Sequence, residues 1–295
     1  MTARLFPQNI KKTAVIPIAS DAEPQRVAEA LDFIKREGVE VVYPEKRFSG
    51  FEERAHFLQE IFMDESVDLI IAERGGYGSA EVCGALNWKK LNGAEKPLLG
   101  YSDITFLHFA MLKYNCGIPV SGPVAVELPA IAENPVSLSA FFNTLENLGK
   151  VSENEIADIR QYRLSSDDEF EIMKRGRVTA PVIPGNLTVL TTVIGTDYMP
   201  DLSGKILLVE DIAEPPYKIR RCLNHLKQSG VLAKLSGLIY GNFRKCGNAA
   251  ELKEVFQLFA EEINGPVISN FRFGHCLYSL TIQTGKIFQL DTNNL

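Results

Sequence analysis

Short apolar runs and longer amphipathic stretches alternate along the first half of the chain. "TAVIPIA" (13–19) reads as a buried strand. In "PQRVAEALDFIKREG" (24–38), Val27, Leu31 and Ile34 share one helical face, Pro24 can open the helix and Gly38 can close it. The same alternation predicts strands at "VEVVYP" (39–44), "VDLIIAE" (67–73), "KPLLGY" (96–101) and "IPVSGP" (118–123). Helices are predicted between them at "FEERAHFLQEIFM" (51–63), "AEVCGALNWKKL" (80–91) and "TFLHFAMLKYN" (105–115). Such a series implies βαβ units and a parallel, doubly wound α/β sheet, with ligands bound at the carboxyl ends of its strands.

From about residue 130 to 176 the pattern decays, and "SSDDEFEIMKRG" (165–176) is charged without a clear period. This divides the chain into an N-terminal domain over 1–145, a linker over 146–176 and a C-terminal domain over 177–295. The second domain reads as a smaller α+β unit. Strands are expected at "RVTAPVI" (177–183), "KILLVEDI" (205–212), "LSGLIYGNF" (235–243) and "PVISNFRFG" (266–274). Helices are expected after "PGN" (184–186), at "PYKIRRCLNHLKQSG" (216–230) and at "AAELKEVFQLFAEEI" (249–263). "SLTIQTGKIFQLD" (279–291) reads as a hairpin turning at Thr284-Gly285.

Composition narrows the function. The 37 acidic and 31 basic side chains give a net charge of -6 with no clustered basic face, which argues against nucleic acid or an anionic membrane as the partner. The N-terminus lacks the pattern of a signal peptide, no apolar run approaches a membrane span, and the five cysteines are scattered without CxxC spacing. A cytoplasmic protein with reduced thiols is the expectation. No spacing suits a metal site, and no phosphate-binding glycine fingerprint is present.

Three chemistry-bearing residues stand at predicted strand ends. Ser102 sits where "KPLLGY" gives way to a helix, a turn that can either cap the helix or lift a hydroxyl above the sheet edge. Glu210 and Asp211 follow the apolar run of "LLVEDI". His275 in "FGHC" alone among the four histidines falls outside a predicted helix. A serine nucleophile needs a base, and that base needs a carboxylate to fix its tautomer. The glycine-rich "RGGYGS" (74–79) follows another strand and can offer backbone N–H groups to an oxyanion. Each feature alone is more often a cap, a solvated loop residue or a tight turn. Their shared setting is what raises them to candidates.

Taken together, "RGGYGS", "GYSDIT", "GNL…GT", "LLVEDIAEPPYKIRRCL", "LSGLIYGNF" and "FGH" resemble, in order and spacing, the LD-carboxypeptidases, serine peptidases that include the microcin-immunity type. The resemblance implies a Rossmann-like N-terminal domain, a smaller C-terminal domain resembling a swivelling β-barrel, and an active site between them. It implies Ser102 as nucleophile, Glu210 and His275 as the rest of a triad, and the backbone N–H groups of Gly76 and Asp103 as the oxyanion hole. It also implies a small peptide substrate, a murein tetrapeptide losing its terminal D-alanine, with no cofactor, no metal and a homodimeric assembly. The family usually has Gly-Gly-Asn-Leu where this chain has Pro184-Gly185-Asn186-Leu187, and Asp-Arg where it has Arg220-Arg221. Three rivals remain at this point: a microcin-immunity activity on aminoacyl-nucleotide amides, a non-catalytic muropeptide-binding protein, and a nucleotide-binding Rossmann protein.

Overall fold

The structure is a computed structural model that describes residues 4–149, 156–162, 170–276 and 279–293. Two compact units divide the chain. One holds Met1–Gly149, Asp197–Pro200 and Thr281–Gln283, and the other holds Lys150–Thr196, Asp201–Leu280 and Thr284–Leu295.

In the first unit, strands β1 (Lys12–Ile16), β2 (Glu40–Val42), β3 (Leu69–Ala72), β4 (Pro97–Gly100) and β5 (Ile118–Ser121) are all parallel. They lie in the order β5-β4-β3-β1-β2, and a two-residue strand from far downstream, β12 (Ile282–Gln283), adds antiparallel to β5. Helices α1 (Pro24–Arg36), α2 (Phe51–Met63), α3 (Ser79–Ala85), α4 (Trp88–Leu91), α5 (Thr105–Tyr114), α6 (Leu128–Ala132) and α7 (Pro135–Glu146) connect and cover these strands. β3 reads Leu-Ile-Ile-Ala because covered parallel strands are buried on both faces. Leu69, Ile71, Val15, Leu99 and Val120 join Ile34 of α1 and Phe141 of α7 in one core. Each such side chain contributes roughly 1.5–3 kcal/mol by leaving water. The strand order reverses direction between β1 and β3, the place where doubly wound sheets bind ligands.

The helix expected over 80–91 is two helices. Asn87 interrupts it, its side chain accepting the Lys90 N–H as the cap of α4, while the Trp88 indole N–H donates to the Cys83 carbonyl at 3.0 Å. Ordered structure also continues past residue 130: Pro135 opens α7 after Asn134, whose side chain accepts from Val136 and Ser137. The first five residues of the charged stretch 165–176 expected to be linker lie outside the described residues; Glu171–Lys174 is strand.

The second unit is built on a seven-stranded mixed sheet in the order β6-β13-β8-β9-β10-β11-β7. Its strands are β6 (Ala157–Asp158), β7 (Glu171–Lys174), β8 (Arg177–Asn186), β9 (Ile206–Ile212), β10 (Gly237–Arg244), β11 (Val267–Ser269) and β13 (Ile287–Asp291). The central four, β8 to β11, are parallel and joined through α8 (Leu187–Val193), α9 (Pro216–Gln228) and α10 (Ala249–Ala260). α9 buries Ile219, Leu223 and Leu226, and α10 buries Leu252, Phe256 and Phe259 beneath an Asn248–Glu251 capping box.

Two expectations change here. The predicted hairpin over 279–291 does not form, because its arms belong to different sheets. Ile282–Gln283 pairs with β5, and Ile287–Asp291 pairs antiparallel with β8. The turn between them is held by Val182, which accepts the Gly285 N–H and donates to the Lys286 carbonyl. An added strand covers the β5 edge that would otherwise stand open. The strand expected over 266–274 ends at Ser269. Asn270 turns with φ 65°, after which Phe271 donates to the Tyr240 carbonyl and Phe273 to that of Phe271, so the chain leaves the ladder.

Candidate active site

Ser102 follows β4 and opens a single 3₁₀ turn (Ser102–Ile104) that runs into α5. Its backbone is left-handed, with φ 62°. A non-glycine residue adopts that conformation at a cost of roughly 1–2 kcal/mol, so packing around the turn must hold it. Three contacts do so within the first unit. The Asp103 carboxylate accepts the Ser79 N–H at 2.9 Å, and the Asp103 carbonyl accepts the Ser79 hydroxyl at 2.5 Å, tying the turn to the start of α3. Tyr101 donates its hydroxyl to Glu127 at 2.7 Å on the other side. Burial pushes the Asp103 carboxyl upward, and the bond from the Ser79 N–H opposes that push.

The third contact is glycine. A Cβ on Gly75 would stand 3.1 Å from the Ser102 Cβ and 3.3 Å from its Oγ, so the "RGGYG" loop lies directly against the serine. Gly76 has φ 123°, and its Cα side lies against Ser20. A Cβ there would meet the Ser20 hydroxyl at 2.4 Å, and that same hydroxyl accepts the Tyr77 N–H at 3.1 Å. Ser20 lies after β1 and Gly75–Gly76 after β3, so this contact spans the point where strand order reverses.

Glu210 and His275 come together in the second unit. Glu210 lies near the end of β9 and is 1% exposed; its Oε2 accepts His275 Nδ1 at 2.7 Å and the His275 backbone N–H at 3.2 Å. Its Oε1 accepts the Asn186 side-chain amide at 3.1 Å. Gly274 makes the approach possible: its φ is 99°, and a Cβ there would fall 2.3 Å from the Glu210 Cγ. Gly241 of β10 is also constrained, since a Cβ would sit 2.8 Å from the Phe273 carbonyl. A carboxylate at Nδ1 favours the tautomer with its hydrogen there, and in that neutral form the basic nitrogen of an imidazole is Nε2.

Asn186 and Asp211 were not singled out by sequence reasoning as partners of this pair. The Asn186 amide bridges Glu210 and Asp211, both at 3.1 Å, while its oxygen caps α8 through Val189. Asp211 in turn accepts the Thr188 N–H at 3.0 Å and its hydroxyl at 2.7 Å. Burial pushes the Asp211 carboxyl upward. The available signal was "PGN" before a helix, which announces a cap but not a second bond to a carboxylate 24 residues away. Gly75 and Gly274 carried the faint signal of glycine beside each candidate.

Among the described residues no group of three or more His, Cys, Asp or Glu side chains is arranged to hold a metal, and no helix is long and apolar enough to cross a membrane. Comparison with known proteins places the chain. The LD-carboxypeptidase N-terminal domain model matches residues 13–121, and the C-terminal domain model matches residues 179–290. The murein tetrapeptide carboxypeptidase of Pseudomonas aeruginosa is 30% identical, covering 83% of this chain and 79% of its own. The crystal structure of muramoyltetrapeptide carboxypeptidase from Oxalobacter formigenes shares 28% identity and a TM-score of 0.71, covering 95% of each chain. The microcin C7 self-immunity protein MccF of Escherichia coli is 26% identical, covering 91% of this chain and 86% of its own. Both halves of the chain thus match one peptidase family over most of their length, and the chain belongs to the LD-carboxypeptidase family.

Proposed function

We propose that this peptidase is a cytoplasmic serine LD-carboxypeptidase that removes a terminal D-alanine from a murein tetrapeptide. The observation that carries the reading is the 2.7 Å bond from His275 Nδ1 to the buried Glu210, which leaves Nε2 as the basic atom. In the proposed reaction, Ser102 Oγ attacks the carbonyl carbon of the penultimate residue while His275 Nε2 takes its proton. Backbone N–H groups of Asp103 and Gly76 hold the oxyanion. The imidazolium, stabilised by Glu210, then protonates the amine of the departing D-alanine as the C–N bond breaks, leaving an ester on Ser102. Water, deprotonated by the same histidine, hydrolyses that ester and returns the proton to Ser102. No cofactor or metal enters this scheme, and a homodimer is the assembly the family suggests.

The test is a panel of defined tetrapeptides with mass readout. A peptide ending in D-alanine should be cut to the tripeptide, and its L-alanine epimer should react at least about 10²-fold more slowly, because a misplaced carbonyl costs that much. Equal rates on the two epimers would sink the reading. The similarity to MccF favours one alternative, cleavage of an aminoacyl-nucleotide amide, so such a compound belongs in the same panel. Labelling of Ser102 by a fluorophosphonate would separate either enzyme from a muropeptide-binding protein that does no chemistry.

A further inference from the structure

A carboxypeptidase must read the free carboxylate at the end of its substrate. That group lies one residue from the carbonyl under attack, a span of about 3.3–3.6 Å of chain. The cation that receives it must therefore stand beside the nucleophile. Four basic side chains flank the candidate residues in sequence: Arg74, Lys218, Arg220 and Arg221. Lys218 is paired with Glu214 at 2.9 Å, and Arg221 lies over the Tyr217 ring at 5.7 Å. Elsewhere in the Ser102 unit, Arg54 is spent on the carbonyls of Pro17 and Ala19 and on Asp21, and Arg26 reaches the Val126 carbonyl.

Arg220 lies on α9, in the unit that lacks Ser102, whereas Arg74 stands in the Ser102 unit itself. It is exposed, it begins the loop whose Gly75 lies against Ser102, and its Nε donates to the Gly75 carbonyl at 3.1 Å. That bond folds the side chain back along the loop. It commits one of five N–H donors and leaves the terminal Nη fork, which matches a carboxylate in shape. No carboxylate among the described residues pairs with it.

We propose that Arg74 is the specificity-determining residue that takes the terminal carboxylate of the peptide, bidentate through its Nη atoms, and so places the scissile carbonyl over Ser102. The assignment rests on the carboxypeptidase reading above. It makes a free C-terminal acid a requirement and an amide-capped peptide a poor substrate.

The experiment measures kcat and KM on one tetrapeptide ending in D-alanine, prepared as the free acid and as the C-terminal amide, for the wild-type enzyme, Arg74→Gln and Arg74→Lys. The wild-type enzyme should prefer the acid. In Arg74→Gln the acid-to-amide ratio of kcat/KM should fall by about 10- to 100-fold, chiefly through KM, the loss of a charge-assisted pair. Arg74→Lys should recover part of that ratio, because lysine restores charge but not the fork. An unchanged ratio in both variants overturns the assignment. So does an equal loss on acid and amide, which would mean that Arg74 only holds the glycine loop in place. A wild-type enzyme that cleaves neither peptide refutes the carboxypeptidase reading itself, before any variant is compared.

Discussion

The Ser102 turn closes within two neighbouring strand ends: β4 delivers the serine, β3 delivers the glycine loop against it, and α3 locks both through Ser79. The Glu210–His275 pair gathers from four places instead. β9 supplies the carboxylate, β8 the Asn186 amide, β10 the close backbone at Gly241, and the irregular run after β11 the histidine. The first region stores conformational strain in one residue at φ 62° and spreads its support over contacts to Ser79, Glu127 and Gly75. The second buries a carboxylate held by the Asn186 amide and by the backbone and Nδ1 N–H groups of His275. Damage should therefore show differently: in the turn mainly as lost chemistry, and in the pair as lost chemistry and lost stability together.

The largest effect should come from Ser102. Ser102→Ala should reduce kcat by about 10⁴–10⁶-fold with the fold intact, the loss typical of a removed triad nucleophile. Ser102→Gly should be as inactive yet at least as stable as the alanine variant, because glycine relieves the left-handed backbone. Turnover measured beside thermal melting decides both. Near-normal turnover in a folded alanine variant refutes the nucleophile, and an alanine variant clearly more stable than the glycine one refutes the strain. Next comes Glu210→Gln, which keeps shape while removing charge. A fall of about 10²–10⁴-fold in kcat is expected if Glu210 sets the tautomer of His275, as in triads where the acid is neutralised. Activity within twofold of wild type would leave the 2.7 Å bond a structural one.

Glycine-to-alanine changes sharpen the contrast. At Gly274 a Cβ meets the Glu210 side chain at 2.3 Å with φ at 99°, so Gly274→Ala should destabilise the protein by about 2–4 kcal/mol as well as inactivate it. At Gly75 the meeting distance is 3.1 Å, and the neighbour need yield only a few tenths of an ångström. Gly75→Ala should then cost less than about 1 kcal/mol of stability but about 10²-fold in rate, since the shift falls on the side chain proposed as nucleophile. Denaturant titrations and turnover on the same preparations test the pair. Equal stability losses would erase the distinction between the two regions.

Sequence patterning carried the parallel first sheet because buried strands such as Leu69–Ala72 are apolar throughout and the helices between them are one-sided. It carried Ser102 to a strand–helix join and Glu210 to a strand end, which local periodicity can do, but His275 lies six residues past the end of β11, in irregular chain. It could not see that Asn87 would outweigh a continuing helix pattern, since a cap and a helix interior differ by one side-chain hydrogen bond. Nor could it part the arms of 279–291: both alternate in the way a hairpin does, and only the unpaired edge of β5 and the wall of β8 decide where each goes. The His275–Glu210 contact spans 65 residues and depends on the backbone of Phe271 reaching Tyr240, information that no local window contains. The resemblance to a family supplied that pairing as an expectation.

The smallest effect concerns a second histidine, and it contrasts the two units again. His108 lies in α5, six residues beyond Ser102, fully buried, with Nε2 bonded to the Leu98 carbonyl at 3.1 Å and no partner for Nδ1. No carboxylate stands where Glu210 stands for His275, so burial outweighs the opposing Leu98 bond and pushes the His108 pKa down to about 4. The folded chain thus keeps this imidazole neutral where the unfolded chain protonates it near pH 6.5. Between those two values the unfolded state binds one proton more. Stability must fall as pH drops from about 6.5 toward 4, by up to about 3 kcal/mol from this residue. His108→Gln keeps a donor for the Leu98 carbonyl and removes the titration. Urea unfolding at several pH values across that window should show a shallower loss of stability in the variant than in the wild type, while turnover at neutral pH is preserved. Parallel stability curves would show that His108 charges without penalty, and its burial against β4 would then have to be less complete than the packing of α5 implies.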